Sequence, residues 1–382
     1  MSLTACEFDK AAVPEQPTRL VVHAVLNPFV LNYRVLVEEL ATGQINIDGR
    51  IGADSLDPIV SGGGIPVRDA VVFIREVSPP ALDTAKGIED ARVRSDGKGQ
   101  GVYRFQNAGP PLFAPRTNQQ LIQRARRYEL IVEWRGQTVR GFTTVPLPDR
   151  LVFRDFGLQR FNKDRDTLLL LWPTAQFTKR HALRAVTPYG PFLLFSDRDT
   201  LRVLGSLRNV FARDLPNVFI PGFRQEISTA AVDTNYFDYY RSSNNPFTGT
   251  GLINHLEGGV GLFGSIVPLD IRRLDVTADQ TGPIEGLYLG EAQQSIDLYL
   301  GDNLGNDRRF ASGSLRRGGS RNGFVGSATS DGRLSLAILR GDYANDTLFV
   351  FNGRVTGDSL TGGSEGRPVT SYRLNAPRRN DP

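Results

Sequence analysis

The apolar residues of this chain come in short runs that alternate with polar residues and stop at Gly, Pro, Asn or Asp. That pattern constrains the fold more than any other feature. Side chains that alternate between two faces build strands, and a run cut off by a turn signal cannot build a long helix. Leu20 to Leu26 is a strand ended by Asn27-Pro28. In Tyr33 to Leu40, Val35 and Val37 share one face, with Arg34, Leu36 and Glu38 on the other. Tyr128 to Trp134 and Gln137 to Thr144 read as a hairpin around Arg135-Gly136. Late in the chain, Ile296 to Leu300, Leu334 to Ile338 and Leu348 to Phe351 repeat the period of two, separated by tight turns such as Ser330-Asp331-Gly332. The longest apolar run, Leu168 to Trp172, stops at Pro173. That is far short of the roughly 20 residues a membrane-spanning helix needs. The expected class is mostly β: tandem β-sandwiches followed by a C-terminal antiparallel meander or small barrel.

At 382 residues the chain is too long for one ordinary domain. Composition shifts and turn clusters divide it into a tether over 1–17, a sandwich over 18–148, a second sandwich with a helical insertion over 149–281, a meander or barrel over 282–375 and a tail over 376–382. The net charge is +4, and Arg and Asp alternate along much of the sequence. Such a mixed surface is not a nucleic-acid footprint, and no nucleic-acid partner is expected. The densest basic spots, Arg124, Arg126 and Arg127, then Arg308, Arg309, Arg316, Arg317 and Arg321, read as strand ends and turns.

There is one cysteine, Cys6, in the stretch Leu3-Thr4-Ala5-Cys6. An internal disulfide is therefore excluded. His23, His181 and His255 are scattered, so Cys6 has no clustered set of metal ligands to join. A polar segment punctuated by Pro, Glu7 to Thr18, follows it and looks like a flexible tether. A leucine, two small residues and a cysteine resemble the bacterial lipobox, whose thiol receives diacylglycerol and whose cysteine becomes the new N-terminus on cleavage. Acyl chains stabilise attachment by about 0.8 kcal/mol per buried CH₂. The resemblance implies a membrane anchor at Cys6. Glu7, in place of the Asp associated with inner-membrane retention, points to the outer membrane.

Two further stretches resemble known sandwiches. Gly64-Ile65-Pro66-Val67 through Ile74, then Gly101 to Phe105, then Arg127 to Trp134 follow the order of carboxypeptidase-regulatory-like and prealbumin-like modules. Asp166 to Pro173 followed by Ala182 to Val186 resembles two strands of a fibronectin type III domain, which implies that Trp172 is buried between sheets. Leu201, Leu204, Leu207, Val210 and Phe211 fit a helical face as well as a buried strand.

No catalytic constellation stands out, and an enzyme is not expected. Gly259-Val260-Gly261-Leu262-Phe263-Gly264 matches G-x-G-x-x-G, but a dinucleotide site needs a strand before it and a helix after it. A polar loop precedes these glycines and Ser265-Ile266-Val267-Pro268 follows, so a tight crossing or bulge is the better reading. There is no G-x-S-x-G elbow, no calcium loop of the EF-hand type and no ligand cluster. No cofactor and no metal are expected.

The remaining functional signal lies in Tyr236 to Pro268. Asp233 to Ser242 reads as a short helix capped by Asp233, and the surrounding segment concentrates aromatic, Asn and Gly residues suited to sugars or peptides. Tyr236, Tyr239 and Tyr240 fall on one helical face and Phe237 on another. The expectation is that Phe237 anchors the helix in the core, and that Tyr236, Tyr239, Tyr240 and Phe247 form the outward binding surface. The competing reading is that the aromatics dock the helix onto the sandwich.

The start Cys6-Glu7, the strand Leu20 to Pro28, the run Asn245-Pro246-Phe247 and Glu257 to Ser265 together resemble a family of uncharacterised outer-membrane lipoproteins of Gram-negative bacteria. These are often encoded beside TonB-dependent transporters. The resemblance covers the first two regions and brings no catalytic residues. It implies a lipid-anchored protein at the cell surface acting as a binding or accessory module, with a transporter, glycan or peptide as partner. The alternative is a stalk or coat subunit that assembles with itself or with other envelope proteins.

Overall fold

The computed structural model describes residues 19–30, 32–39, 64–77, 85–86, 88–89, 101–106, 122–149, 154–208, 217–243, 253–340, 346–364 and 370–375. The expected tether, Cys6, Phe247 and the tail lie outside them. The protein is mostly β, with one helix among the described residues. It divides into two compact units, one formed by Met1–Pro146 with Asp233–Ile266, the other by Leu147–Val232 with Val267–Pro382. The aromatic segment, which the sequence places with 149–281, thus folds with the N-terminal strands.

The first unit opens with β1 (Leu20–Leu26), β2 (Asn32–Glu39), β3 (Ile65–Pro66), β4 (Val71–Glu76), β5 (Ala85–Lys86), β6 (Ile88–Glu89), β7 (Val102–Gln106), β8 (Arg127–Trp134) and β9 (Gln137–Thr144). β1-β2-β7-β6 run side by side in one sheet, with β3 on β2, and β9-β8-β4-β5 form the other. The expected hairpin is present: β8 pairs antiparallel with β9 from Arg127↔Thr144 to Trp134↔Gln137, and Arg135 and Gly136 both have positive φ at its tip. Tyr128, Leu130, Val132 and Trp134 are buried on one face of β8; on the other Glu133 is exposed but Glu129 is buried, paired with Arg75.

The chain then enters the second unit with β10 (Leu147–Pro148), β11 (Arg154–Asn162), β12 (Thr167–Leu171), β13 (Ala175–Gln176), β14 (Arg180–Thr187), β15 (Gly190–Ser196), β16 (Thr200–Leu204) and β17 (Arg224–Val232). β14 lies between β15 and β17, and β12 pairs with β16. Trp172 is buried with Leu168, Leu170, Leu183, Ala185 and Ile227 in one core, the position expected for it. Of the ambiguous stretch, Leu201 and Leu204 lie in strand β16, where Leu201 and Val203 pair with Leu170 and Leu168 of β12; Leu207 follows the strand, and Val210 and Phe211 lie outside the described residues.

From Asp233 the chain is again in the first unit: α1 (Thr234–Ser243), β18 (Leu256–Glu257) and the start of β19 (Val260–Thr277). Val260–Ser265 lies parallel to β1, and the rest of β19, in the second unit, lies parallel to β11. Parallel neighbours need a crossover, and here the long excursion between the strands supplies it. Gly259 is a bend and the rest of the G-x-G-x-x-G run, from Val260, is strand, as the rejection of a phosphate loop requires. Gly261 has φ +125°, and a Cβ there would lie 2.0 Å from the Val22 carbonyl oxygen, so the close parallel approach to β1 demands glycine.

The second unit ends in β20 (Gly286–Gly290), β21 (Ser295–Gly305), β22 (Arg308–Arg317), β23 (Ser320–Thr329), β24 (Arg333–Leu339), β25 (Thr347–Thr356), β26 (Ser359–Gly363) and β27 (Thr370–Leu374), a barrel closed by β27 against β20. Every neighbouring pair in it is antiparallel. The expected meander therefore closes on itself. Its inside is filled by Tyr288, Leu298, Phe324, Leu336, Phe351, Leu360 and Tyr372, as an eight-stranded barrel is wide enough to hold side chains and little else. Outside, Ile220 and Phe223 pack with Phe310, Val325 and Leu339, which ties the barrel to the β16–β17 connection of the same unit. Among the described residues no helix is long and apolar enough to cross a membrane.

Candidate functional site

α1 is built from its N-terminus. Asp233 is the cap: its Oδ1 accepts the Tyr236 N–H at 2.9 Å and the Ser265 N–H at 3.1 Å. Oδ2 accepts the Thr143 hydroxyl, and Thr143 Oγ1 lies 3.0 Å from Ser265 Oγ. The Asn235 amide donates to the carbonyls of Phe142 at 2.6 Å and Phe263 at 2.7 Å, fixing the first turn between β9 and β19. Burial drives the Asp233 carboxyl up to about 6, against the hydrogen bonds from Thr143, Tyr236, Ser265 and Asn235 that pull it down.

This anchoring decides which face of α1 points inward, and it reverses the expectation. Tyr236 and Tyr239 are buried, at 4% and 6% exposure, and Tyr240 is half-buried. The Tyr239 ring meets His23 of β1 edge-on with centroids 5.6 Å apart, and Tyr236 and Tyr240 lie 4.6 Å apart. Phe237, expected as the core anchor, is half-buried on the other side. Spacing sorted the aromatics onto the correct two faces. The preference of a phenol for water did not identify the outer one, since the cap and the Asn235 bonds orient the helix. Tyr236 and Tyr239 are therefore core residues rather than parts of an outward surface, and Phe247 lies outside the described residues.

What α1 presents outward is a different set. Asp238 Oδ1 accepts from Arg241 Nε at 2.9 Å, and Asp238 Oδ2 lies 3.0 Å from His255 Nε2. The Arg241 guanidinium stands 5.5 Å from the Phe237 ring centroid. The Arg241 and His255 side chains are about half exposed, while the Asp238 side chain that holds both is largely covered, at 12%. The result is a small surface that brings together an aromatic ring, a guanidinium and an imidazole, the last two held by one carboxylate. It suits a ligand that offers a flat apolar face and oxygen acceptors, as sugars and peptides do. The sequence signalled His255 and Phe237 through the aromatic cluster. Arg241 and Asp238 were missed, although their spacing of three along a helix was a usable signal.

Several other titratable groups among the described residues are tied into the framework. His181 stacks on Trp172 with centroids 5.1 Å apart, and burial lowers its pKa. Asp297, raised by burial, accepts from Tyr299 and Gln280, and Arg321 joins Asp275 to the Gly222 carbonyl. Among the described residues no three His, Cys, Asp or Glu side chains converge to hold a metal ion. No protein-family model and no curated protein matches the chain.

Proposed function

We propose that this protein is a binding or accessory module of the cell envelope, held at the outer membrane by lipid on Cys6, that captures a glycan or peptide on the outer face of α1. The observation that carries the binding half is the constellation of Phe237 and Arg241 of α1 with His255, just before β18, around Asp238, the helix being capped by buried Asp233. Rigid placement matters because a surface already held in one geometry loses little entropy on binding. The filled barrel and the sandwich cores act as scaffold in this reading. The membrane half rests on Leu3-Thr4-Ala5-Cys6 and the tether after it. On the likenesses described above, we read the first unit as a prealbumin-like sandwich and the strands around Trp172 as fibronectin type III-like. We also read the chain as a relative of outer-membrane lipoproteins that accompany TonB-dependent transporters, with such a transporter as the recipient of the captured ligand.

The test is a glycan and peptide array probed with the full chain, followed by Phe237→Ala and Arg241→Ala. The reading expects a retained ligand class, lost in both variants, with the melting temperature little changed because both side chains reach solvent. Binding that survives both substitutions would place recognition elsewhere.

A further inference from the structure

The constellation on α1 is ordered by charge as well as by position. Asp238 is its one acid, and it lies behind its partners: its side chain is 12% exposed, against 51% for Arg241 and 40% for His255. A ligand arriving from solvent meets the guanidinium and the imidazole before the carboxylate. Coulomb attraction is strongest at contact and falls with distance, so the guanidinium in front outweighs the acid behind it. Two residues beyond His255, Glu257 is exposed, but it stands opposite exposed Arg140 of β9, and opposite charges so placed offset each other. The bond between Asp238 and His255 also sets what the imidazole can do. A carboxylate only accepts, so His255 Nε2 carries the hydrogen in their 3.0 Å contact. In the neutral ring Nδ1 is then an acceptor. The surface thus pairs an outward cation with an outward hydrogen-bond acceptor, beside the Phe237 ring, whose centroid lies 5.5 Å from the guanidinium carbon.

We propose that the ligand of this surface is an acidic sugar, a uronic acid unit, with its carboxylate on Arg241, a ring hydroxyl donating to His255 Nδ1 and a C–H face against Phe237. The inference rests on the binding reading above and narrows its ligand class. A uronate carries an anion, hydroxyl donors and an apolar face on one stiff ring, so placing one feature places the others. An acidic peptide carries its carboxylate on a rotatable side chain, with no hydroxyl fixed beside it, and must order those rotors on binding. A neutral sugar offers the hydroxyl and the apolar face but nothing that answers the charge of Arg241. Asp238, bonded to both bases, serves as the positioning residue: it holds the cation and the acceptor at one spacing before the ligand arrives.

Titration calorimetry of the full chain provides the test, with oligomers of galacturonic, glucuronic and guluronic acid, their methyl esters and a poly-glutamate peptide. At least one uronate is expected to bind, at least about tenfold tighter than its methyl ester, and more weakly as salt is raised. Arg241→Gln is expected to abolish the preference for the acid over the ester, with an unchanged circular dichroism spectrum. The ester arm needs no variant, so it decides the charge requirement even where Arg241→Gln does not fold. An ester bound as tightly as its acid overturns the proposal; loss of both in Phe237→Ala then leaves the α1 reading standing without it. Retention of the peptide in place of every uronate, or of none of the probes, overturns it too. A uronate bound equally by the parent, Phe237→Ala and Arg241→Gln removes the α1 reading as well.

Discussion

At the scale of single residues, two positions in and before α1 separate core from surface. Tyr239 fills space beneath the helix against His23, so Tyr239→Ala should cost about 3–5 kcal/mol, as loss of a large buried aromatic does. Phe237→Ala removes a half-buried ring and should cost far less. Thermal or urea melts of the two variants check the ordering, and equal losses would contradict the orientation of the helix. Asp233 gives a pH signature. Its folded carboxyl titrates at about 6, above its ordinary value of 3.8, so the folded chain holds a proton in that window that the unfolded chain has released. The contribution is fully present below the ordinary carboxyl range and is lost as pH rises through about 6. Its size is on the order of 3 kcal/mol. Asp233→Asn keeps an oxygen to accept the Tyr236 and Ser265 N–H groups but has no proton to lose. Stability measured from pH 4 to pH 7 should therefore fall more steeply for the parent than for Asp233→Asn. Parallel curves would mean that the carboxyl is not held protonated by its burial.

At the scale of elements, the barrel wall depends on close backbone approach. A Cβ on Gly313 would lie 1.9 Å from the Asp297 carbonyl oxygen and 2.4 Å from the Phe324 ring, while one on Gly222 would lie 2.2 Å from Gly313 Cα. Gly313→Ala should destabilise the chain by at least about 2 kcal/mol, read as a lowered midpoint in urea; an unchanged midpoint would show that the wall is loosely packed. Strands of this kind were legible because alternation and turn residues act locally. The β8–β9 hairpin and the repeating strands of the barrel are written in neighbouring residues. Barrel closure between β27 and β20 was legible only as one of two options, since it joins strands far apart in sequence. The parallel pairing of β19 with β1 and β11 left only the glycines of Gly259 to Gly264 as a trace, because the register of distant strands has no local code. The orientation of α1 was illegible for the same reason: Asn235 reaches two carbonyls far from it along the chain.

At the scale of the whole molecule, the described residues form packed β units whose cores are filled by apolar side chains. The barrel turns its large apolar side chains inward, and α1 together with the residues just before β18 carries the outward constellation at Phe237, Arg241 and His255. In the proposed reading these features serve a protein that holds a ligand or a partner near a membrane, a placement that would depend on Cys6. The central claim, a lipid-tethered binding module, is tested most directly by the mass of the mature N-terminus of the protein extracted from native membranes. The account predicts a chain that begins at Cys6, with diacylglycerol in thioether linkage on its sulfur. A free Cys6 thiol within a chain that begins elsewhere would contradict it.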